Sequence, residues 1–133
     1  MQTGDLNILG DLAGPLGEIN FIMDGGGEVL STGIQGDIQL PTGYTITEAI
    51  LLADQSGSIV IDIWKDTYAN YPPTVADTIT ASAKPTLSSA IKSSDATLTG
   101  WTTAIAAGDI LRVNIDSVST ITRVTLSLKV QRV

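Results

Sequence analysis

The residues best equipped for chemistry lie between Ile59 and Pro73, where two carboxylates, Asp62 and Asp66, stand beside Trp64, Tyr68 and Tyr71. Glycoside hydrolysis needs two carboxyl groups roughly 5 to 9 Å apart, and aromatic rings offer surfaces on which a sugar can stack. Each carboxylate also has a plainer expectation. Asp62 falls on the polar side of an alternating strand, and Asp66 is a turn former where that strand ends. The sequence has no His and no Cys. Imidazole bases, thiolate nucleophiles, disulfides and the usual zinc, copper and haem ligand sets are therefore excluded. No acidic loop has calcium-binding spacing. The glycines of Asp24 to Gly27 lack the helix and the Lys-Ser/Thr that a phosphate-cradling loop requires. The expectation is no catalysis, no metal and no cofactor.

Trp64, Tyr68 and Tyr71, with Pro72 and Pro73, leave two readings open. They could form an exposed platform for a glycan or a protein partner, since aromatic rings supply contact area at small entropic cost. They could equally be a lid over the core or a contact between subunits. The net charge of −7 repels phosphate backbones and anionic lipid surfaces, so neither nucleic acid nor membrane is an expected partner. Arg112, Arg123, Lys129 and Arg132 gather near the C-terminus, where solvated strand faces are expected. No stretch reaches the roughly 18 apolar residues of a membrane span, and Met1 to Gly10 lacks the basic start and apolar run of an export signal.

The elements that must position these groups are strands. With 133 residues, 43% hydrophobic, the chain suffices for one domain with a real core, and its abundant Thr, Ser, Ile, Val and Gly favour short strands joined by turns. In IVIDIWK, Ile59, Ile61 and Ile63 share one face while Val60, Asp62 and Trp64 share the other. Strands are predicted at Ile19 to Met23, Gly33 to Leu40, Tyr44 to Ala53, Ile59 to Lys65, Thr97 to Thr103, Ile110 to Asp116 and Thr120 to Arg132. A sandwich or barrel suits that spacing. Asp24 to Gly27 predicts a hairpin turn. Thr74 to Ala96, poor in large apolar groups, predicts a long surface connection with short strands or a helical turn. Gly-Asp-aliphatic tripeptides at Gly4, Gly10, Gly36 and Gly108 predict turns capped by Asp.

Residues 1–18 differ from the rest, with isolated apolar side chains broken by glycines. They are expected to form an extended N-terminal arm ahead of a β-sandwich domain at 19–133. Such an arm could reach roughly 60 Å. Leu6, Ile8, Leu9, Leu12 and Leu16 are too many to leave in water, and they predict burial against another subunit, another protein or the chain's own domain.

The run from Leu51 to Leu98, with WKDTYANYPP at its centre, and the later TGWTTAIAAGD resemble a domain of tailed-bacteriophage virion proteins. The domain occurs at the C-terminus of collagen-like tail-fibre proteins and as free-standing capsid decoration proteins. The resemblance spans roughly residues 19 to 133. It implies a jelly-roll-like antiparallel β-sandwich, assembly as a homotrimer and a structural or adhesive role without catalysis. For a decoration (cement) protein it further implies binding to the major capsid protein, the capsid surface of the virion as location, and assembly in the host cytoplasm. Residues 1–18 would then anchor the protein to the capsid, while Trp64, Tyr68 and Tyr71 would meet a neighbouring subunit or project outward. A fibre-tip module holding a host surface glycan is the alternative role.

Overall fold

The structure, a computed structural model, describes residues 14–133. They form an all-β protein of seven strands with a single short 3-10 turn. The strands are β1 (Leu16–Asp24), β2 (Gly33–Gln39), β3 (Tyr44–Asp66), β4 (Thr86–Asp95), β5 (Ala104–Ile105), β6 (Ile110–Ser119) and β7 (Arg123–Arg132). Every pairing is antiparallel, and the hydrogen-bonded path runs β1-β7-β3-β6-β2, with β4 and β5 also on β3.

β3 organises the molecule. Its 23 residues would span roughly 75 Å if straight, far more than a core of this size can cover. It bends instead, and its neighbour changes at the bend. Tyr44 to Ala53 pair with β7, and Ser58 to Asp66 pair with β6. The break expected between the strands Tyr44 to Ala53 and Ile59 to Lys65 is thus a corner inside one strand. Gly57 permits it, because a Cβ there would stand 2.7 Å from both Ile121 Cγ1 and the Ser119 carbonyl. Asp54 fastens the corner by accepting hydrogen bonds from the Thr122 and Arg123 amides and the Thr122 hydroxyl.

The corner divides the sheet into two halves that face each other across one core. The β1–β7 half contributes Ile19, Met23, Val124, Leu126, Leu128 and Val130. The β2–β6 half contributes Leu111, Val113 and Ile115 to the same cluster, and β3 adds Ile59, Ile61 and Ile63 among others. Full burial of each such aliphatic side chain contributes about 2 kcal/mol. The period-two reading of IVIDIWK therefore holds in detail.

Three local expectations differ from the structure. β1 and β2 pair with β7 and β6 rather than with each other, so Asp24 to Gly27 joins opposite halves of the sheet instead of closing a hairpin. The turn chemistry survives: Asp24 Oδ1 accepts from the Gly26 amide at 2.8 Å, and Gly26 and Gly27 have φ of 67° and 94°. Thr97 to Thr103 holds turns, and only Ala104–Ile105 pairs as strand. Finally, Thr74 to Ala96 contains a 3-10 turn at Val75–Asp77 and the whole of the ten-residue β4, whose Ser-rich sequence buries only Leu87. β1 begins at Leu16, so Leu16 to Glu18 belong to the sheet.

Candidate functional site

β3 and β6 run side by side with Trp64 directly opposite Arg112 and Asp62 opposite Asn114. Period two places all four side chains on the outer side of the sheet, away from Ile61, Ile63 and Val113. β2 adds Asp37, opposite Arg112. Beyond Asp66 the chain turns back over this face, and Tyr71 lands on Asp37 and Arg112.

Asp62 is the hub of the face. Although polar, it is only 1% exposed. Its Oδ1 accepts from the Thr78 hydroxyl at 2.6 Å, the Thr80 hydroxyl at 2.7 Å and the Ile63 amide at 2.8 Å. Its Oδ2 accepts from Trp64 Nε1 at 3.0 Å, with Lys84 Nζ 3.7 Å away. Thr78 is placed there by its bridge to Trp64, which lays residues 78–80 along the free side of β3. Burial pushes the Asp62 carboxyl upward, but the donors from Thr78, Thr80, Trp64 and Ile63 outweigh it and hold the group below the ordinary carboxylate range. Lys84 also donates to Asp116 at 2.7 Å, and that bond raises its own pKa.

Beside the hub, Arg112 makes a two-pronged pair with Asp37, Nε to Oδ1 at 2.7 Å and Nη2 to Oδ2 at 2.9 Å. The Tyr71 hydroxyl donates to Asp37 at 2.5 Å, and the guanidinium lies 5.5 Å from the Tyr71 ring. The Arg112 bonds hold the Asp37 carboxyl low, against a smaller effect of burial. Arg112 itself is pushed up by Asp37. The loop is thereby pinned across the sheet from β3 to β2.

The expected platform is divided. Trp64 is buried with its indole N–H committed to Asp62, whereas Tyr68 is 73% and Tyr71 46% exposed. Tyr71 reaches the Trp64 row through Arg112, and Tyr68 stands apart on the loop. Asp62 and Asp66 do not make a hydrolytic pair. Four strand residues separate their backbones by about 13 Å, beyond what either glycosidase geometry uses. Asp66 instead accepts from the Thr67 amide at 2.7 Å. Among the described residues, no three His, Cys, Asp or Glu side chains converge on one point. Leu6, Ile8, Leu9 and Leu12 lie outside the described residues, and Leu16 is 79% exposed on β1.

The residues that complete the face were not singled out from the sequence. Asp37 sits in a Gly-Asp-Ile tripeptide that predicts a turn cap, yet it is a mid-strand residue paired with Arg112. Asp109, in the corresponding Gly-Asp-Ile, does cap a turn, accepting from the Ala106 amide at 2.8 Å. Of the basic residues near the C-terminus, Arg112 is on β6, while Lys129 is on β7 beside Glu18 at 3.5 Å.

No family model matches the chain, and no curated protein matches it. Among solved structures, a chain from "Structure of infectious bursal disease virus Gx strain" aligns at 12% identity with a TM-score of 0.19. The alignment covers 91% of this chain and 39% of that one. A likeness at that level carries no argument about fold or function.

Proposed function

We propose that this protein is a structural component of a phage virion, a capsid decoration (cement) protein that binds the major capsid protein and stabilises the head shell. It would be a jelly-roll-like sandwich that assembles as a homotrimer, held to the capsid by the segment that precedes β1. The resemblance of WKDTYANYPP and TGWTTAIAAGD to phage virion domains supports the class. The observation that carries the non-catalytic reading is the state of Asp62. A buried carboxylate with four donors on it has no lone pair directed at a substrate, and its lowered pKa opposes a role as general acid. This chemistry holds a loop on a sheet. Antibody labelling of intact virions tests the reading, with label over the whole head expected; label confined to the tail would overturn it.

A second reading, a fibre-tip module for a host surface glycan, is favoured by one observation, the exposure of Tyr68 and Tyr71 on one loop. Under that reading Tyr68→Ala abolishes binding of the purified protein to host cells without changing its melting temperature. Trp64→Ala is a poor probe, because it removes a donor to Asp62 and disturbs the fold.

A further inference from the structure

The free edges of the described sheet are not alike. An edge strand offers unpaired amides and carbonyls to any extended chain, and proteins usually blunt it with bulges, glycines, lysines or shortness. β2 is seven residues long, is bulged between Ile34 and Gly36 and contains two glycines. β4 is broken twice in its register with β3, turns through a left-handed Ser89 with φ of 49° and carries Lys92. β1 has no bulge, and its one glycine, Gly17, lies near its start. Its nine residues pair with β7 without a register shift from Leu16 to Asp24, and they include no Pro, Lys or Arg. Its inward side chains, Gly17, Ile19, Phe21 and Met23, are uncharged, and outward Ile22 is 70% exposed. A groove of about 310 Å³ runs between it and β2, bounded by Phe21 and Met23 on one side and Ile38 on the other.

We infer that β1 pairs antiparallel with β1 of a second copy of this chain, with Asn20 on the two-fold axis. The strand is compatible with a second copy of itself, and full overlap pairs all nine of its residues. Full overlap sets Leu16 opposite Asp24, Gly17 opposite Met23, Glu18 opposite Ile22, Ile19 opposite Phe21 and Asn20 opposite itself. No carboxylate then faces a carboxylate, whereas sliding the pair by two residues one way sets Glu18 against Asp24. Inward residues stay inward, so Ile19 and Phe21 of the two copies meet beside the groove. On the outer side the Asn20 amides meet on the axis, and each Ile22 lies against the aliphatic part of a glutamate. Glu18 is already partly neutralised by Lys129 at 3.5 Å. Two copies of charge −7 repel at long range, so association strengthens with added salt. The contact is isologous and doubles whatever species carries it: a monomer becomes a dimer, and a trimer using it becomes a hexamer.

The inference stands apart from the virion reading and is tested on the purified full chain. Native mass measurement should give an even multiple of 13.9 kDa. A monomer, or a trimer that goes no further, would overturn the contact. Because the chain has no Cys, single-cysteine variants report the register. Residues directly opposite across an antiparallel pair bring their Cβ atoms to about 5 Å. Asn20→Cys should therefore cross-link on oxidation, while Glu18→Cys and Ile22→Cys, each about 13 Å from its own symmetry mate, should not. Equal cross-linking at all three positions, or none at Asn20→Cys, refutes the register. Asn20→Lys, which sets two ammonium groups on the axis, should weaken the dimer by about tenfold or more at unchanged melting temperature.

Discussion

The two outer faces of this sheet have opposite character. Over the β2–β6 half, the loop from Thr67 to Pro73 crosses to β2, Trp64 is buried with its indole N–H on Asp62, and Asp37, Arg112, Asp62 and Lys84 all find charged or hydroxyl partners. Over the β1–β7 half no such loop is anchored among the described residues. Ile22 and Leu52 are exposed, and the buried Ser127 hydroxyl in the middle of the face has no partner among the described residues. The same alternation of buried and outward residues built both halves. The difference is that one β3 segment carries Asp62 and Trp64 at its outward positions, while the other carries Glu48, Ile50 and Leu52. Outward polar groups with matching donors recruited a cover, and outward aliphatic groups did not.

The largest effect should come from removing the hub of the covered face. Asp62→Ala leaves the Thr78 and Thr80 hydroxyls, the Trp64 indole N–H and the Ile63 amide without their acceptor in a dry environment. Unsatisfied buried donors cost about 1–3 kcal/mol each before relaxation, so a loss of about 3–5 kcal/mol is expected in a urea titration. A loss below 1 kcal/mol would mean that water or a neighbouring carbonyl readily replaces the carboxylate, and the face would not be sealed in the sense argued above. Substitutions at Ile22 or Leu52 on the open face should cost far less under the same conditions.

Next in size is the pH response. The Asp62 carboxyl is held below its unfolded value, so its contribution is fully present above that value, near 4, and is lost as pH falls through the lower folded value. Asp37 behaves in the same direction through Arg112. The melting temperature of the wild type should therefore fall as pH is lowered from about 5 to about 2. Asp62→Asn should start lower and show a shallower fall. An unchanged slope would place the acid sensitivity elsewhere, for example at Asp54 or Glu18, both also held low by their hydrogen bonds.

Unpinning the loop is a smaller perturbation. Asp37→Ala removes both Arg112 bonds and the acceptor of the Tyr71 hydroxyl at a partly exposed site, where ion pairs contribute up to about 1 kcal/mol. A loss of about 1 kcal/mol is expected, together with faster amide exchange confined to Thr67–Tyr71. Exchange that rises instead throughout β2 would mean that the pair holds the strand rather than the loop.

Much of the covered face was legible only in part. IVIDIWK declares its strand because three isoleucines alternate with Val60, Asp62 and Trp64, and the resulting burial is as read. The same residues do not declare that Asp62 turns outward into a hydroxyl cage. Thr78 and Thr80 lie 16 and 18 positions away in a stretch without strong periodicity, and nothing local marks them as partners. Arg112 and Asp37 are 75 positions apart, brought together by strand order alone. The corner in β3 reads as a break between two strands for a related reason. Asp54, Ser56 and Gly57 have turn chemistry, and only the change of neighbour from β7 to β6 shows that the chain continues as strand.

The smallest effect, and the one that bears on the open face, concerns Ser127. It lies between Asn20 of β1 and Ile50 of β3 in register, nine-tenths buried by neighbours that offer its hydroxyl nothing. A buried hydroxyl without a hydrogen-bonding partner opposes folding. Ser127→Ala removes the hydroxyl and leaves a void no larger than the oxygen. Stability should rise by about 0.5–1 kcal/mol, opposite in sign to every substitution on the covered face. A fall of similar size would show that the hydroxyl is satisfied, and the contrast between the faces would then rest on Ile22 and Leu52 alone. If copies pair through β1 about Asn20, the neighbouring Ser127 feels the contact, and the gain should differ between dilute and concentrated protein. Measuring Ser127→Ala at both concentrations therefore separates a cost intrinsic to one chain from one that a second copy relieves.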